Sequence, residues 1–248
     1  MTTRPFSLLA ALSALLYFGV ASAFVPASPS IRTFPLTRSA SVSDDVDIDT
    51  KIASCKAILV KAADTKKEDS ETVVQALLDL EKLQRKKAKE EGDVVGEEMK
   101  TQLNGDWRLI FTTGTAKTQE KYGSVNYFPI KAVQTFRTIN EDPMKITNGI
   151  FVGDFPLLKF SGEMDFDVKR RKLEFDFNEL LVLKLFNLNL GKGDAAQLGA
   201  SSGLGSKSNV ENAKKGRQAF FNWISADENI ATARGGGGGL ALWKRVDE

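Results

Sequence analysis

Residues 164 to 178 read MDFDVKRRKLEFDFN, and their spacing decides the fold. Met164, Phe166 and Val168 alternate with Asp165 and Asp167; further on, Leu173, Phe175 and Phe177 alternate with Glu174, Asp176 and Asn178. A β-strand sends successive side chains to opposite faces, so a period of two with apolar residues on one side and acids on the other predicts antiparallel strands with one buried and one wet face.

The same period runs outward in both directions. Phe186, Leu188 and Leu190 alternate with Asn187 and Asn189. WRLIFTT (107–113), KAVQTFRTI (131–139), MKITNGIFV (144–152), LLKFSGEMDF (157–166), a segment within FFNWISADENIATA (220–233) and LALWKR (240–245) are further strand candidates. The total is about eight strands, which is too many for a small open sheet and suits a closed barrel filled by side chains or by one small ligand. The fold class predicted is mainly β, an antiparallel barrel over 101–248. Before it, residues 44–100 change period: Ile52, Cys55, Leu59 and Ala62, then Val73, Val74, Leu77, Leu80 and Leu83, recur every three or four residues and predict two amphipathic helices. QRKKAKEE (84–91), which closes the second, reads as a solvated face or as a contact to anionic lipid.

The first 43 residues have another character. FSLLAALSALLYFGV (6–20) has the length of a secretory h-region and is followed by the small-residue site Ala21-Ser22-Ala23, so 1–23 reads as a cleavable signal peptide. Residues 24–43 carry Arg32, Arg38, several Ser and Thr and no acid, the composition of a transit peptide. The junction ASAFVP resembles the plastid-import motif of algae with complex plastids, and import into a plastid is expected.

Composition narrows the chemistry. The chain of 248 residues is 42% hydrophobic and 27% charged, the balance of a soluble globular protein. It contains no histidine and a single cysteine, Cys55, which excludes a His-dependent triad, a His or Cys zinc cluster and an intrachain disulfide. No metal, redox cofactor or catalytic residue is indicated. Without the targeting part, 31 basic residues face 32 acidic ones, which offers nucleic acid no electrostatic attraction.

Two glycine-rich strings call for a decision. GASSGLG (199–205) is similar to the cofactor turn of short-chain dehydrogenases, but such a turn opens a helix within an early βαβ unit, and only 43 residues follow Gly205. It reads instead as a flexible connection between two strands, a flap at the barrel rim. The five glycines 235–239 precede a strand without a following Lys-Ser or Lys-Thr, so a hairpin turn is predicted there and not a phosphate loop.

Leu103, Gly105, Trp107, Leu109, Phe111 and Thr112 in LNGDWRLIFTT, together with Asp227, Arg234, Gly235, Gly238, Leu240 and Arg245 in ADENIATARGGGGGLALWKR, resemble the two conserved ends of the plastid lipid-associated proteins, also called fibrillins or plastoglobulins. Family members often carry Leu-Arg where this chain has Ile230-Ala231, so a headgroup role for that arginine does not carry over. The resemblance implies a lipocalin-like barrel behind N-terminal helices, at plastoglobules, thylakoids or in the stroma. It further implies a non-enzymatic partner of carotenoid, prenylquinone or acyl lipid and of a membrane or plastoglobule surface, with no transmembrane helix in the mature chain.

The expected apolar lining is Trp107, Leu109, Phe111, Phe166, Phe175, Phe177, Phe186 and Leu188, each open between ligand contact and plain core packing. Arg234 is expected to pair with Asp227 across the sheet, with a polar rim contact to ligand as the alternative. Two other functions stay open: an accessory factor that binds an enzyme of plastid lipid synthesis, or an enzyme using Glu163, Asp165 or Asp167. Those acids alternate with the inward set and are expected to face solvent.

Overall fold

The computed structural model describes residues 47–113, 127–128, 130–201 and 207–246. The signal and transit segments lie outside them.

Three helices precede the sheet: α1 Ile48–Thr65, α2 Ser70–Glu91 and α3 Val94–Leu103. Asp69 caps α2 by accepting the Thr72 N–H at 3.0 Å. The boundary missing from the two-helix expectation is Gly92-Asp93: Gly92 takes φ +70°, where only glycine is comfortable, and the chain turns into α3. On α1 the residues Ile52, Leu59, Ala62 and Ala63, and on α2 Val73, Ala76, Leu77 and Leu80, are buried in a single cluster. Their three-to-four spacing puts each set on one stripe of its helix.

The cluster continues onto the outer face of the sheet through Ile110, Ile224, Ile230, Leu240 and Leu242. The strands are β1 Gly105–Thr112, β2 Lys131–Arg137, β3 Lys145–Val152, β4 Phe155–Asp167, β5 Lys172–Val182, β6 Phe186–Asn189, β7 Ala219–Ala226, β8 Ile230–Gly235 and β9 Leu240–Arg245. Every pairing is antiparallel, and β1-β2-β3-β4-β5-β7-β8-β9 closes back onto β1 as an eight-stranded barrel. β6 is the extra strand: β5 pairs with β7 through Lys172–Phe175 and with β6 through Glu179–Val182.

FFNWISADENIATA holds two strands where one segment is expected. Asp227 Oδ1 accepts the N–H groups of Asn229 and Ile230, both at 2.9 Å, and this Asx-type turn folds β8 back on β7. The glycine run does form a hairpin, with the Gly238 N–H on the Gly235 carbonyl at 2.8 Å. The flexible connection expected at 199–205 is in part helical, because α4, Asp194–Ser201, takes in 199–201. The reason is an apolar contact upstream of the glycines: Ala195 is buried, and Leu198 packs on Leu158, Leu180 and Val182. Residues 202–206 lie outside the described residues, and α5, Lys207–Lys214, follows.

One end of the barrel is closed. Met99 and Leu103 of α3 join the inward residues, and Gly96 lies so close to the β4–β5 turn that a Cβ would sit 2.1 Å from the Val168 carbonyl oxygen. Trp107 is fully buried beneath α3 and donates its indole N–H to the Leu103 carbonyl at 2.8 Å.

The pair expected between Arg234 and Asp227 does not form. Arg234 stands on the outer face at the far end of β8, under α2, and grips both oxygens of Glu81, Nε at 2.9 Å and Nη2 at 2.5 Å. Asp227, in the turn before β8, binds Lys56 Nζ at 2.8 Å. The length of β8 separates the two, and helices the sheet pattern does not locate supply both partners. The Arg234 hydrogen bond holds the Glu81 carboxyl below its ordinary value against the opposing pull of burial. A carboxyl lowered in the folded state adds stability above its unfolded pKa, about 4.3, and that stability is lost as pH falls through the folded value. Glu81→Gln is expected to cost about 2 kcal/mol at pH 7. In urea titrations the gap between wild type and variant should narrow below about pH 4, and a constant gap from pH 7 to 3 would contradict the assignment.

Candidate functional site

Strand register builds the interior row by row. Trp107, Gln134, Asn148, Phe160 and Leu180 face one another in sequence across β1 to β5, and one step deeper Phe136, Ile146, Gly162 and Phe177 do the same across β2 to β5. On the opposite wall β8 and β9 present Ala231, Ala233 and Ala241, small residues that leave room for the large ones beside them.

The large ones are aromatic and form a continuous belt. Ring centroids step from Phe160 to Phe177 at 5.6 Å, to Phe175 at 5.2 Å and to Phe221 at 5.3 Å. The belt goes on from Phe221 to Trp243 at 5.6 Å, to Trp223 at 5.3 Å and to the edge of Phe136 at 5.4 Å. Stacked, tilted and edge-on contacts of this kind fix ring positions as well as filling space.

Burial within this inward set is graded. Trp107, Phe136, Ile146, Leu173, Trp223 and Trp243, toward α3, are buried, whereas Leu109, Asn148, Phe160, Phe177 and Phe221 are partly exposed although they face inward. The partly exposed rings of the belt are thus Phe160, Phe177 and Phe221. At the end opposite α3, Leu158, Leu180 and Val182, with Leu188 and Leu190 after β5 and Leu198 from α4, make an apolar collar.

Of the expected lining residues, Trp107, Phe166 and Phe175 point inward and are buried, and Leu109 and Phe177 point inward and are partly exposed. Phe111 does not line the interior. A β-bulge between Leu109 and Phe111 reverses the alternation, so Phe111 pairs with Leu242 and packs edge-on against Tyr127 in the cluster under the helices. Phe186 lies on β6, outside the closed barrel, and is 50% exposed, while Leu188 belongs to the collar. Glu163 and Asp165 are exposed on the outer face and Asp167 pairs with Arg170, so none of these acids meets the belt.

Gln134, Asn148, Phe160, Phe221, Trp223 and Trp243 complete the site and are absent from the sequence-based lining. Gln134 carried a readable signal: in KAVQTF it occupies the inward period shared with Ala132 and Phe136.

The model of the PAP_fibrillin family matches residues 48–242, the helices and almost the whole barrel. The chain belongs to the PAP_fibrillin family. Searches of curated proteins and of solved structures found no match. Fibrillins are plastid-associated, lipid-associated proteins that are generally structural rather than catalytic. Among the described residues of this fibrillin, no helix is long and apolar enough to cross a membrane.

Proposed function

We propose that this fibrillin is a non-enzymatic plastid lipid-binding protein that holds one apolar lipid, of the carotenoid, prenylquinone or acyl class, inside its barrel. It works at the surface of plastoglobules or thylakoids, after import directed by residues 1–43. The observation that carries this reading is the inward aromatic belt with its partly exposed Leu109, Phe160, Phe177 and Phe221. Aromatic surface left open to water inside a closed barrel gains about 25 cal/mol per Å² when a lipid covers it. The collar of leucines gives a long hydrocarbon tail an apolar way out. The acids weighed for an enzymatic reading stand on the other face.

Native purification followed by solvent extraction and mass analysis tests the proposal. A stoichiometric apolar lipid is expected. Protein that yields none, and takes up none when incubated with plastid lipid extract, would sink it.

A further inference from the structure

We infer that this fibrillin meets its lipid surface with the barrel end opposite α3, where the β3–β4 hairpin and the β5–β6 turn carry Val152, Phe155, Leu185 and Phe186 into the acyl layer beneath the headgroups. This rests on the reading of the protein as one that works at a lipid surface, and it names the face that does so.

Among the described residues seven large apolar side chains are exposed, and four of them stand together on this rim: Val152 at 63%, Phe155 at 45%, Leu185 at 77% and Phe186 at 50%. Strand register makes them neighbours. Val152 pairs with Phe155 across the hairpin, and Phe186 pairs with Val182, itself the partner of Leu158 on β4. The two tips are tied together where β4 meets β5. There the Leu183 N–H donates to the Leu157 carbonyl at 2.9 Å, and Lys184 Nζ lies 5.9 Å from the centroid of the Phe155 ring. Leu183 and Lys184 both take left-handed backbone, φ 53° and 58°, which is uncommon outside glycine. The turn they make ends β5 and leaves Leu185 and Phe186 outside the collar that Leu183 joins.

Area and charge decide what covers these tips. The four side chains leave roughly 400 Å² of apolar surface in water, enough to mark a contact but well short of about 800 Å² per partner that a stable protein interface needs. They stand on two separate turns and not on one flat face, which suits a fluid layer that closes around each tip. Lys131, 2.8 Å from Asp154, and Lys184 flank them, as lysines do when the stem lies along acyl chains and the ammonium stays at headgroup level. Behind the tips, Leu157 and Leu183 pack on Leu158, Leu180 and Val182, so apolar surface runs on from the rim to the collar. A hydrocarbon tail leaving along the collar then enters the lipid layer without crossing water. The cationic face of α2 offers less: Lys82, Arg85, Lys86 and Lys89 share it with a single exposed apolar residue, Leu78. Charge without insertion is screened by salt.

The test uses the full chain in a Cys55→Ala background, with one nitrobenzoxadiazole label at a time on Val152→Cys or Leu185→Cys at the rim, or on Leu78→Cys or Val94→Cys on the helices. Each is mixed with vesicles of phosphatidylcholine and phosphatidylglycerol in equal parts. The rim labels are expected to shift to the blue and to be quenched by spin-labelled lipid, while the helix labels keep their emission in water. Phe155→Ser with Phe186→Ser replaces two exposed rings that do not hold the fold. In that variant the Leu185→Cys label should need at least about tenfold more lipid for the same shift, because two half-exposed rings no longer leave water. An unchanged lipid requirement overturns the assignment to this rim. A shift at the helix labels equal to or larger than that at the rim also overturns it, and leaves the lipid-surface reading intact. Protein that stays in the supernatant when the vesicles are sedimented, with no shift at any label, overturns both. A shift at the rim that follows protein concentration without lipid identifies a second copy of the chain as the occupant and overturns the proposal.

Discussion

Trp107→Ala is expected to lower stability by about 4 kcal/mol, within the range for truncating a fully buried tryptophan. The side chain is 0% exposed and packs in the cluster that contains Met99, Leu103, Phe136 and Ile146. Its N–H is the partner of the Leu103 carbonyl, and the Arg245 guanidinium lies 4.2 Å from its ring centroid. Alanine therefore leaves a cavity, an orphaned carbonyl at the end of α3 and a cation without its ring. Trp107→Phe keeps most of the volume and loses the hydrogen bond, so it should cost about 1 to 2 kcal/mol. Urea unfolding at pH 7 measures both, and an alanine variant within about 1 kcal/mol of wild type would mean that α3 does not depend on this plug.

Arg245→Ala comes next, at about 3 kcal/mol, the sum expected for several charge-assisted hydrogen bonds and one cation–π contact at a partly exposed site. Its guanidinium donates to the carbonyls of Gln102 at 2.6 Å, Asn104 at 3.0 Å, Glu228 at 3.0 Å and Asp227 at 3.1 Å. One side chain thus ties the end of α3, the start of β1 and the β7–β8 turn, and its charge also suits the negative C-terminal end of a helix. Lysine offers a single nitrogen and no planar fork, so Arg245→Lys should recover less than half of the loss. Because Arg245 covers the Trp107 ring, the double alanine variant should lose less than the two singles added together, by at least about 0.5 kcal/mol. Strict additivity would show that the stacking contributes nothing.

Both residues were visible in the sequence as motif positions, but their partners were not. LALWKR is a strand over the same residues, 240–245, in the structure, and the alternation in MDFDVKRRKLEFDFN does place Phe166 and Phe175 inside. Short-range rules failed where a local device interrupted the pattern. The Asp227 turn splits one apolar stretch into two strands, and a bulge moves Phe111 from the interior to the helix-covered face.

The belt was half legible. Phe175 and Phe177 follow from their own strand's period, whereas Trp223 and Trp243 become neighbours only because β7, β8 and β9 are consecutive in the barrel and the alanines between them leave room. Asp227 and Arg234 were expected to pair because the sheet alone offered each to the other. Glu81 and Lys56 reach them from helices roughly 150 to 170 residues away in sequence.

The amino-acid order by itself determined which segments carry an apolar face, since strand and helix periods are properties of the backbone. Which of those faces turn inward along their whole length, which inward residues meet and which polar atoms stay unpaired were decided only by bulges, closure of the sheet and the docking of α1 to α4. Those outcomes depend on contacts between segments far apart in the chain, and no local period encodes them.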